Sequence, residues 1–364
     1  MQVRIWDAIC IGVLCIILTL GLWPFHSPSN HVTWLPDRPG LRFGKPATVF
    51  GSNAVDGMSS QDAASASLEA WLQPTKIWDG GTFLTLYRPE LSRQFSLRQS
   101  LTDLELEVES HDRHHSATAR LYVADVFRRT TPVFITLTSS VQGLLVYIDG
   151  VVTRKAPGFR LSAADLAGRL IIGDSPRQTR TWKGQFLGLA LYQQALTAHQ
   201  VLGHYQSWME VGRPELMPDD RGVALYLFNE HQGNIVHSQI GAGSLYIPEK
   251  YTVLDQIRLE PVWEEFAMSS SYWSAVVKNI VGFVPLGFCF YVYWSVARPL
   301  RKPALATMLL GAAVSFAIEF LQSYLPTRES GTTDLITNTA GTAVGILLYR
   351  VIYNFRPTTL VPRL

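Results

Sequence analysis

Four apolar runs decide what this chain can fold into. They are 8-AICIGVLCIILTLGLWPF-25, 279-NIVGFVPLGFCFYVYWSVA-297, about 303–325 and about 335–353. Each approaches the ~20 mostly apolar residues that a helix needs to cross a bilayer. The first reads as an uncleaved anchor within residues 1–27. No A-x-A-like cleavage site follows it, and the GVL before Cys15 lacks the small residues of a lipoprotein signal.

Loop charges orient the four runs. Arg4 precedes the first, Arg298, Arg301 and Lys302 join the second to the third, and Arg350, Arg356 and Arg363 follow the fourth. With four spans all these cations fall on one side, and the positive-inside rule makes that side the cytoplasm. Residues 356–364 are then a cytoplasmic tail. The large middle segment and the 326–333 loop face outward, as expected of a cytoplasmic (inner) membrane protein with both termini inside.

Charged residues make up 16% of the chain and the net charge is +2, against roughly 25% charged in soluble domains. No run of like charges exists, so nucleic acid is not an expected partner. Cys10, Cys15 and Cys289 all lie in apolar runs, which excludes a disulfide framework or a zinc spacing. No metal site and no cofactor can be named.

Residues 40–250 contain no long apolar run. They contain short alternating stretches: 68–74, 82–88, 103–109, 133–139, 144–150, 169–174, 185–192 and 223–228. Turn formers such as Asp149-Gly150 and Gly173-Asp174 separate them, which predicts a β-sandwich. One helix is expected over 197–208, with Thr197 as its N-cap.

The series LLVYIDGVV, RLIIGD and WKGQFLGLALYQQALTAHQV resembles the LamG-like, concanavalin A-like jelly roll. The matching residues are Tyr147, Asp149, Gly150, Ile172, Gly173, Trp182, Gly184, Tyr192, Leu196 and Thr197. Leu68-Glu69-Ala70-Trp71 resembles an early strand of that family, and 226–241 a returning strand and turn. The resemblance implies an all-β fold that hosts lectins, glycosidases and adhesion modules. Glycosidases of this kind carry closely spaced carboxylates on one strand. The nearest counterpart, 103-DLELEVES-110, places Asp103, Glu105, Glu107 and Glu109 on one face, which is expected to be an ordinary solvated face. The run 111-HDRHH-115 is expected in an exposed hairpin. Residues 251–273, with Pro261, Trp263 and Trp273, are expected at the membrane–water boundary.

The polar residues of the last three runs need an explanation, because ionisable groups in a span are costly. Glu319 and Gln322 share a helix face, with Ser315 on the same side. Asp334 and Asn338 are four apart, and Gly341 and Gly345 continue their face. Asn279 enters the second span, followed by Pro285 and Gly287 as candidate packing positions. Two readings remain. The polar groups hold a small bundle together, or Asn279, Glu319, Gln322, Arg328, Asp334 and Asn338 line a polar pocket open to the outer leaflet.

The order N-x-x-x-F-x-P-x-G, I-E-x-x-Q, R, D-x-x-x-N-x-x-G-x-x-x-G resembles the VanZ-like membrane family over about 270–355. The matching residues are Asn279, Phe283, Pro285, Gly287, Ile318, Glu319, Gln322, Arg328, Asp334, Asn338, Gly341 and Gly345. The family takes its name from a protein linked to teicoplanin resistance. This implies envelope or lipid-linked glycan biology and fixes no reaction.

The expected fold class is therefore mixed: an extracytoplasmic all-β sandwich (40–250) inserted between an N-terminal transmembrane helix and a C-terminal three-helix VanZ-like bundle within 274–355. The expected partners are the lipid membrane, an envelope glycan or lipid-linked glycan, and other membrane proteins. The alternatives are an enzyme acting on a lipid-linked sugar, with Glu319 or Asp334 as base and Arg328 as phosphate clamp, and a non-catalytic assembly scaffold.

Overall fold

The computed structural model describes residues 2–55, 65–91, 93–112, 115–176, 181–241, 243–256, 258–266, 268, 270–328 and 330–354. Two compact units emerge. One is Pro28–Asp255; the other joins Met1–Ser27 to Gln256–Leu364.

In chain order the elements are α1 (Gln2–Leu22), β1 (Val32–Trp34), β2 (Leu41–Phe43), β3 (Val49–Ala54), β4 (Ala66–Pro74), β5 (Asp79–Arg88), β6 (Arg93–Leu101), β7 (Asp103–Asp112), β8 (His115–Val123), β9 (Val133–Ser140), β10 (Gly143–Ile148), β11 (Val151–Ala156), α2 (Ala163–Leu166), β12 (Arg169–Ile172), β13 (Gly184–Tyr192), α3 (Ala198–Val211), β14 (Gly222–Tyr226), β15 (Ile235–His237), β16 (Ser244–Tyr246), α4 (Val262–Glu265), α5 (Ser270–Val292), α6 (Pro303–Gln322) and α7 (Thr332–Asn354).

The first unit is a sandwich of two eight-stranded sheets. One runs β1-β2-β13-β4-β9-β10-β11, with β14 beside β13. The other runs β15-β16-β3-β12-β5-β6-β7-β8. Their inner faces interdigitate in a core that includes Phe43, Phe83, Phe95, Leu137, Trp182 and Phe186. The eight expected stretches are all in strands. The other eight strands lie outside those stretches; in β6, β8 and β11 residues such as Gln94, Arg98 and Arg154 dilute the alternation.

Local glycines explain the motif. A Cβ at Gly184 would lie 2.1 Å from the buried Trp182 ring, so Trp-x-Gly is a packing requirement. Asp149 and Gly150 both have positive φ (51° and 78°) in the β10–β11 turn, the geometry of a tight hairpin. Thr197 caps α3: its Oγ1 accepts from Gln200 N at 3.3 Å while its own N donates to Gln200 Oε1 at 2.8 Å.

Two expectations about β7 need comment. Glu105 is not on a solvated face; it is only 4% exposed. Tyr122 donates to it at 2.8 Å, and Arg98 and Arg120 approach it at 3.7 Å. Long side chains from β6 and β8 lie over the strand and cover its acids. The 111–115 run falls at the β7–β8 hairpin, and residues 113–114 lie outside the described residues. No cluster suited to a metal ion occurs among the described residues.

Helix α3 packs on the outer face of the first sheet, so β4 is buried on both sides. That places a carboxylate, an imidazole and a second carboxylate in the dry interior. His204 Nδ1 lies 2.9 Å from Glu69 Oε1, and its Nε2 lies 3.2 Å from Asp220 Oδ2. Tyr192 donates to Glu69 Oε2 at 2.7 Å, and Gln200 donates to Asp220 Oδ1 at 2.8 Å. Carboxylates only accept, so both imidazole nitrogens must donate, which requires imidazolium. Burial by itself disfavours that cation, but Glu69 and Asp220 outweigh burial and hold His204 above its ordinary value. Across the sandwich, burial pushes Asp174 up to about 7, although Tyr251 and Ser175 N donate to it.

Both groups hold protons more tightly folded than unfolded. Their stabilisation is complete below the unfolded values, ~3.9 for Asp and ~6.5 for His. It disappears as pH rises through the folded values. Hydrogen exchange of the β4 and α3 amides is therefore expected to accelerate from pH 5 to pH 8, after correction for intrinsic rates. Asp174→Asn removes the part of that slope below pH 7. Protection that increases with pH would contradict the assignment.

In the second unit, α1, α5, α6 and α7 are each long and apolar enough to cross a membrane. Ile17, Phe283, Leu286, Val314 and Ile318 form the seam of α1, α5 and α6. Helix α5 begins at Ser270, nine residues before Asn279. Asn279 is therefore well inside a helix, and Trp273 is helical too.

Candidate functional site

Helix α7 starts against α5 at backbone contact distance. A Cβ on Gly341 would lie 2.2 Å from Ile280 O, and one on Gly345 would lie 2.2 Å from Val284 O. From the other side, a Cβ on Gly287 would lie 2.1 Å from Thr342 O. Three glycines thus let two helices touch main chain to main chain, the small-residue packing of membrane helices. Pro285 does not share this role. It is exposed, while Leu286 and Gly287 beside it are buried, and α5 continues through it. Its ring cannot donate to the helix ladder, and the side away from the partner tolerates that.

The close approach fixes where the polar side chains fall. Asn279 Nδ2 donates to Asp334 Oδ1 at 2.6 Å, joining α5 to the first turn of α7. One turn and more deeper, Asn338 Nδ2 donates to Ser315 Oγ at 3.0 Å, joining α7 to α6. Glu319, near the end of α6, is 1% exposed. Its Oε2 accepts from Gly331 N at 3.0 Å, and its carbonyl accepts from Ser330 Oγ at 2.8 Å.

The first turn of a helix has N–H groups without partners inside the helix. Here other elements supply the acceptors. Glu265, on α4, accepts from Thr333 N at 2.7 Å. The Glu260 carbonyl accepts from Thr332 N and Thr332 Oγ1, each at 2.9 Å. A Cβ on Gly331 would fall 1.4 Å from Glu265 Oε1, so a larger residue there would displace the Glu265 carboxylate. Asp334 adds a third carboxylate in the same turn. The positive end of the helix dipole favours this concentration of negative charge. Glu265, Glu319 and Asp334 lie within electrostatic reach of one another.

The two remaining expected residues turn toward α1. Gln322 Nε2 donates to Gly21 O at 2.7 Å, and Arg328 Nη2 donates to Trp23 O. Arg328 is exposed, within electrostatic reach of Asp334, and makes no ion pair with Glu319 or Asp334 among the described residues. The six expected residues therefore gather at one end of the bundle without forming one contact network. Gln322, Glu319 and Asn338 are buried, Asn279 and Asp334 are half-buried, and Arg328 is exposed.

Sequence reasoning missed Glu265. It comes from the segment before α5, and no helical spacing ties it to α7. The available signal was the WEE triplet itself, acidic residues beside an interfacial tryptophan.

Residues 223–353 match the VanZ/LLP1 family. Residues 51–202 match the concanavalin A-like lectin/glucanases superfamily. The two matches together describe a concanavalin A-like region followed by a VanZ-like region. The VanZ-like match begins within β14, so it takes in the end of the sandwich as well as α4 to α7. A comparison with curated proteins finds no match. Among solved structures, the Ruminococcus gnavus IT-sialidase CBM40 bound to α2,3-sialyllactose is similar at 14% identity, covering 45% of this chain and 95% of its own, with a TM-score of 0.33. The native heptameric SAP-like pentraxin of Limulus polyphemus is similar at 16% identity, covering 61% of this chain and 93% of its own, with a TM-score of 0.34.

The glycine contacts of the VanZ-like bundle make a sharp expectation. Gly345→Ala forces α5 and α7 apart, with a loss of about 1–3 kcal/mol, the usual cost of overpacking. It is expected to lower the melting temperature of detergent-purified protein. Gly282→Ala enters open space and is expected to leave it within error. Equal behaviour of the two variants would refute the contact.

Proposed function

We propose that this chain is an inner-membrane protein of a bacterial cell envelope. In this reading the concanavalin A-like sandwich faces away from the cytoplasm and binds a glycan or another envelope component. The polar end of the VanZ-like bundle receives a lipid or lipid-linked head group at the outer leaflet. The charge asymmetry supports the orientation: Arg298, Arg301 and Lys302 follow α5 at the end opposite the polar cluster.

One observation carries the head-group reading. The polar residues divide into those whose bonding is met inside the bundle and those left accessible. The accessible set is an exposed guanidinium, Arg328, near a half-buried amide–carboxylate pair, Asn279 and Asp334. A guanidinium can hold phosphate through two parallel hydrogen bonds. A carboxylate beside an amide accepts from hydroxyl or ammonium groups. Such a site suits a head group carrying both chemistries. The carboxylates behind it also argue that phosphate sits on the Arg328 side, since Glu265, Glu319 and Asp334 repel anions.

The enzyme alternative draws less support. Its strongest residue by sequence, Glu319, is closed off and occupied by Gly331 N. A general base needs to reach the proton that it takes.

Native mass spectrometry of the purified protein tests the head-group reading. Wild type is expected to retain lipid, and Arg328→Gln and Asp334→Asn are expected to lose most of it while remaining helical. Retention unchanged in both variants would remove the basis for it. For the sandwich, full-length protein in detergent is expected to be retained on an immobilised envelope polysaccharide. Retention on none would count against the glycan reading.

A further inference from the structure

The core between the two sheets runs out to the surface at one edge of the sandwich. There the edge strands of the two sheets, β8 and β11, come together beside a groove. Val108 on β7 and Ala119 on β8 are directly paired. Val108 shares the inner face with Leu104 and Leu106, which are fully buried, yet it is only half-covered and Ala119 is exposed. The segment Pro157–Arg160, between β11 and α2, forms the opposite wall. The groove so made has a volume of about 480 Å³ and is lined by Arg93, Val108, Ala119 and Pro157–Arg160.

Its chemistry is uneven. The floor and far wall are apolar: Val108, Ala119, Pro157 and Phe159. The charges are cationic. Arg93 Nη2 is fixed by Asp165 Oδ1 at 2.5 Å. Asp165 is itself occupied, since Ser162 N and Ser162 Oγ each donate to its Oδ2 at 2.8 Å. Arg93 Nε has no acceptor among the described residues. Arg160 is exposed and makes no ion pair or hydrogen bond among the described residues. The one carboxylate at the groove is taken by Arg93 and Ser162, and the Arg160 guanidinium has no partner among the described residues.

We propose that this groove is a binding site for a carboxylated sugar residue of an acidic polysaccharide. The proposal rests on the reading of the sandwich as a glycan binder and adds where and what it binds. The volume lies within the ~300–1,000 Å³ of small-ligand sites, which combine apolar walls with a few placed polar groups. The apolar floor takes the C–H face of a pyranose ring. Arg160 pairs with the sugar carboxylate in the bidentate manner that guanidinium groups favour. Arg93, held by Asp165, offers a second donor that does not have to be ordered on binding. A neutral sugar would leave Arg160 unpaired, so the groove discriminates by charge.

The test titrates full-length protein in detergent with tetragalacturonate and with maltotetraose. Wild type is expected to bind tetragalacturonate more tightly, with affinity falling as salt is raised. Arg160→Gln is expected to weaken tetragalacturonate binding about tenfold or more, the cost of losing a charged hydrogen-bond partner. Arg160 is exposed, so this variant keeps the fold. Val108→Trp, which fills the groove, is expected to abolish binding. Unchanged tetragalacturonate binding in Arg160→Gln overturns the proposal, as does equal binding of maltotetraose by wild type. In either case retention on polysaccharide can persist, and the glycan reading then stands without this groove. Absence of both tetragalacturonate binding and polysaccharide retention in wild type overturns the two together.

Discussion

The first amides of α7 set the terms for everything around them. They start a helix at the polar end of a membrane-type bundle, where an unbonded N–H costs several kcal/mol in apolar surroundings. The chain meets that demand with acceptors brought from outside the helix: the Glu319 carboxylate, the Glu265 carboxylate and the Glu260 carbonyl. Each hydrogen bond at the start of α7 thereby fixes another element. Glu319 orients the end of α6, Glu265 draws in α4, and Asp334 takes the amide of Asn279 from α5. The Asn279–Asp334 bond and the glycine contacts between α5 and α7 hold the two helices in one register.

This arrangement separates stability from recognition within one cluster. Residues that are both buried and bonded, such as Glu319 and Asn338, are spent on the bundle. Those with remaining access, Arg328 and Asp334, are the ones on which binding can depend. The sandwich shows the same division. Glu69, His204 and Asp220 look like a catalytic constellation in a residue inventory, yet they clamp α3 to its sheet from a site that no substrate reaches. Arg160, exposed and without a partner among the described residues, lies at the edge groove.

Much of this was legible in the sequence, for reasons that differ by element. Apolar runs announce membrane helices directly, and the spacing of Asp334, Asn338, Gly341 and Gly345 places them along one helix whatever the tertiary structure. What each polar group bonds to was not legible. Arg328 and Gln322 end on backbone carbonyls of Trp23 and Gly21, and any residue at those positions presents the same carbonyl. Pro285 fitted a family pattern but sits on the side away from α7. Glu69 read as the polar position of an alternating strand. It is buried because α3 covers that face, and period-two alternation cannot anticipate a covering helix. The β6 and β8 strands hid for a related reason: their arginines and glutamines lie over neighbouring acids instead of marking a loop.

The polypeptide passes between the two units twice, once after Trp23 and once before Glu260. Both passages are gripped at the same place. Arg328 and Gln322 hold the first through Trp23 and Gly21, and the start of α7 holds the second through Glu260 and Glu265. Mechanically, the polar end of the bundle is a double clamp. Both holds are made by residues at the end of α6, at the start of α7 and in the segment between them. That segment carries Arg328. The accessible guanidinium therefore has two employments, since the Arg328 group that faces outward also holds the chain where it leaves α1.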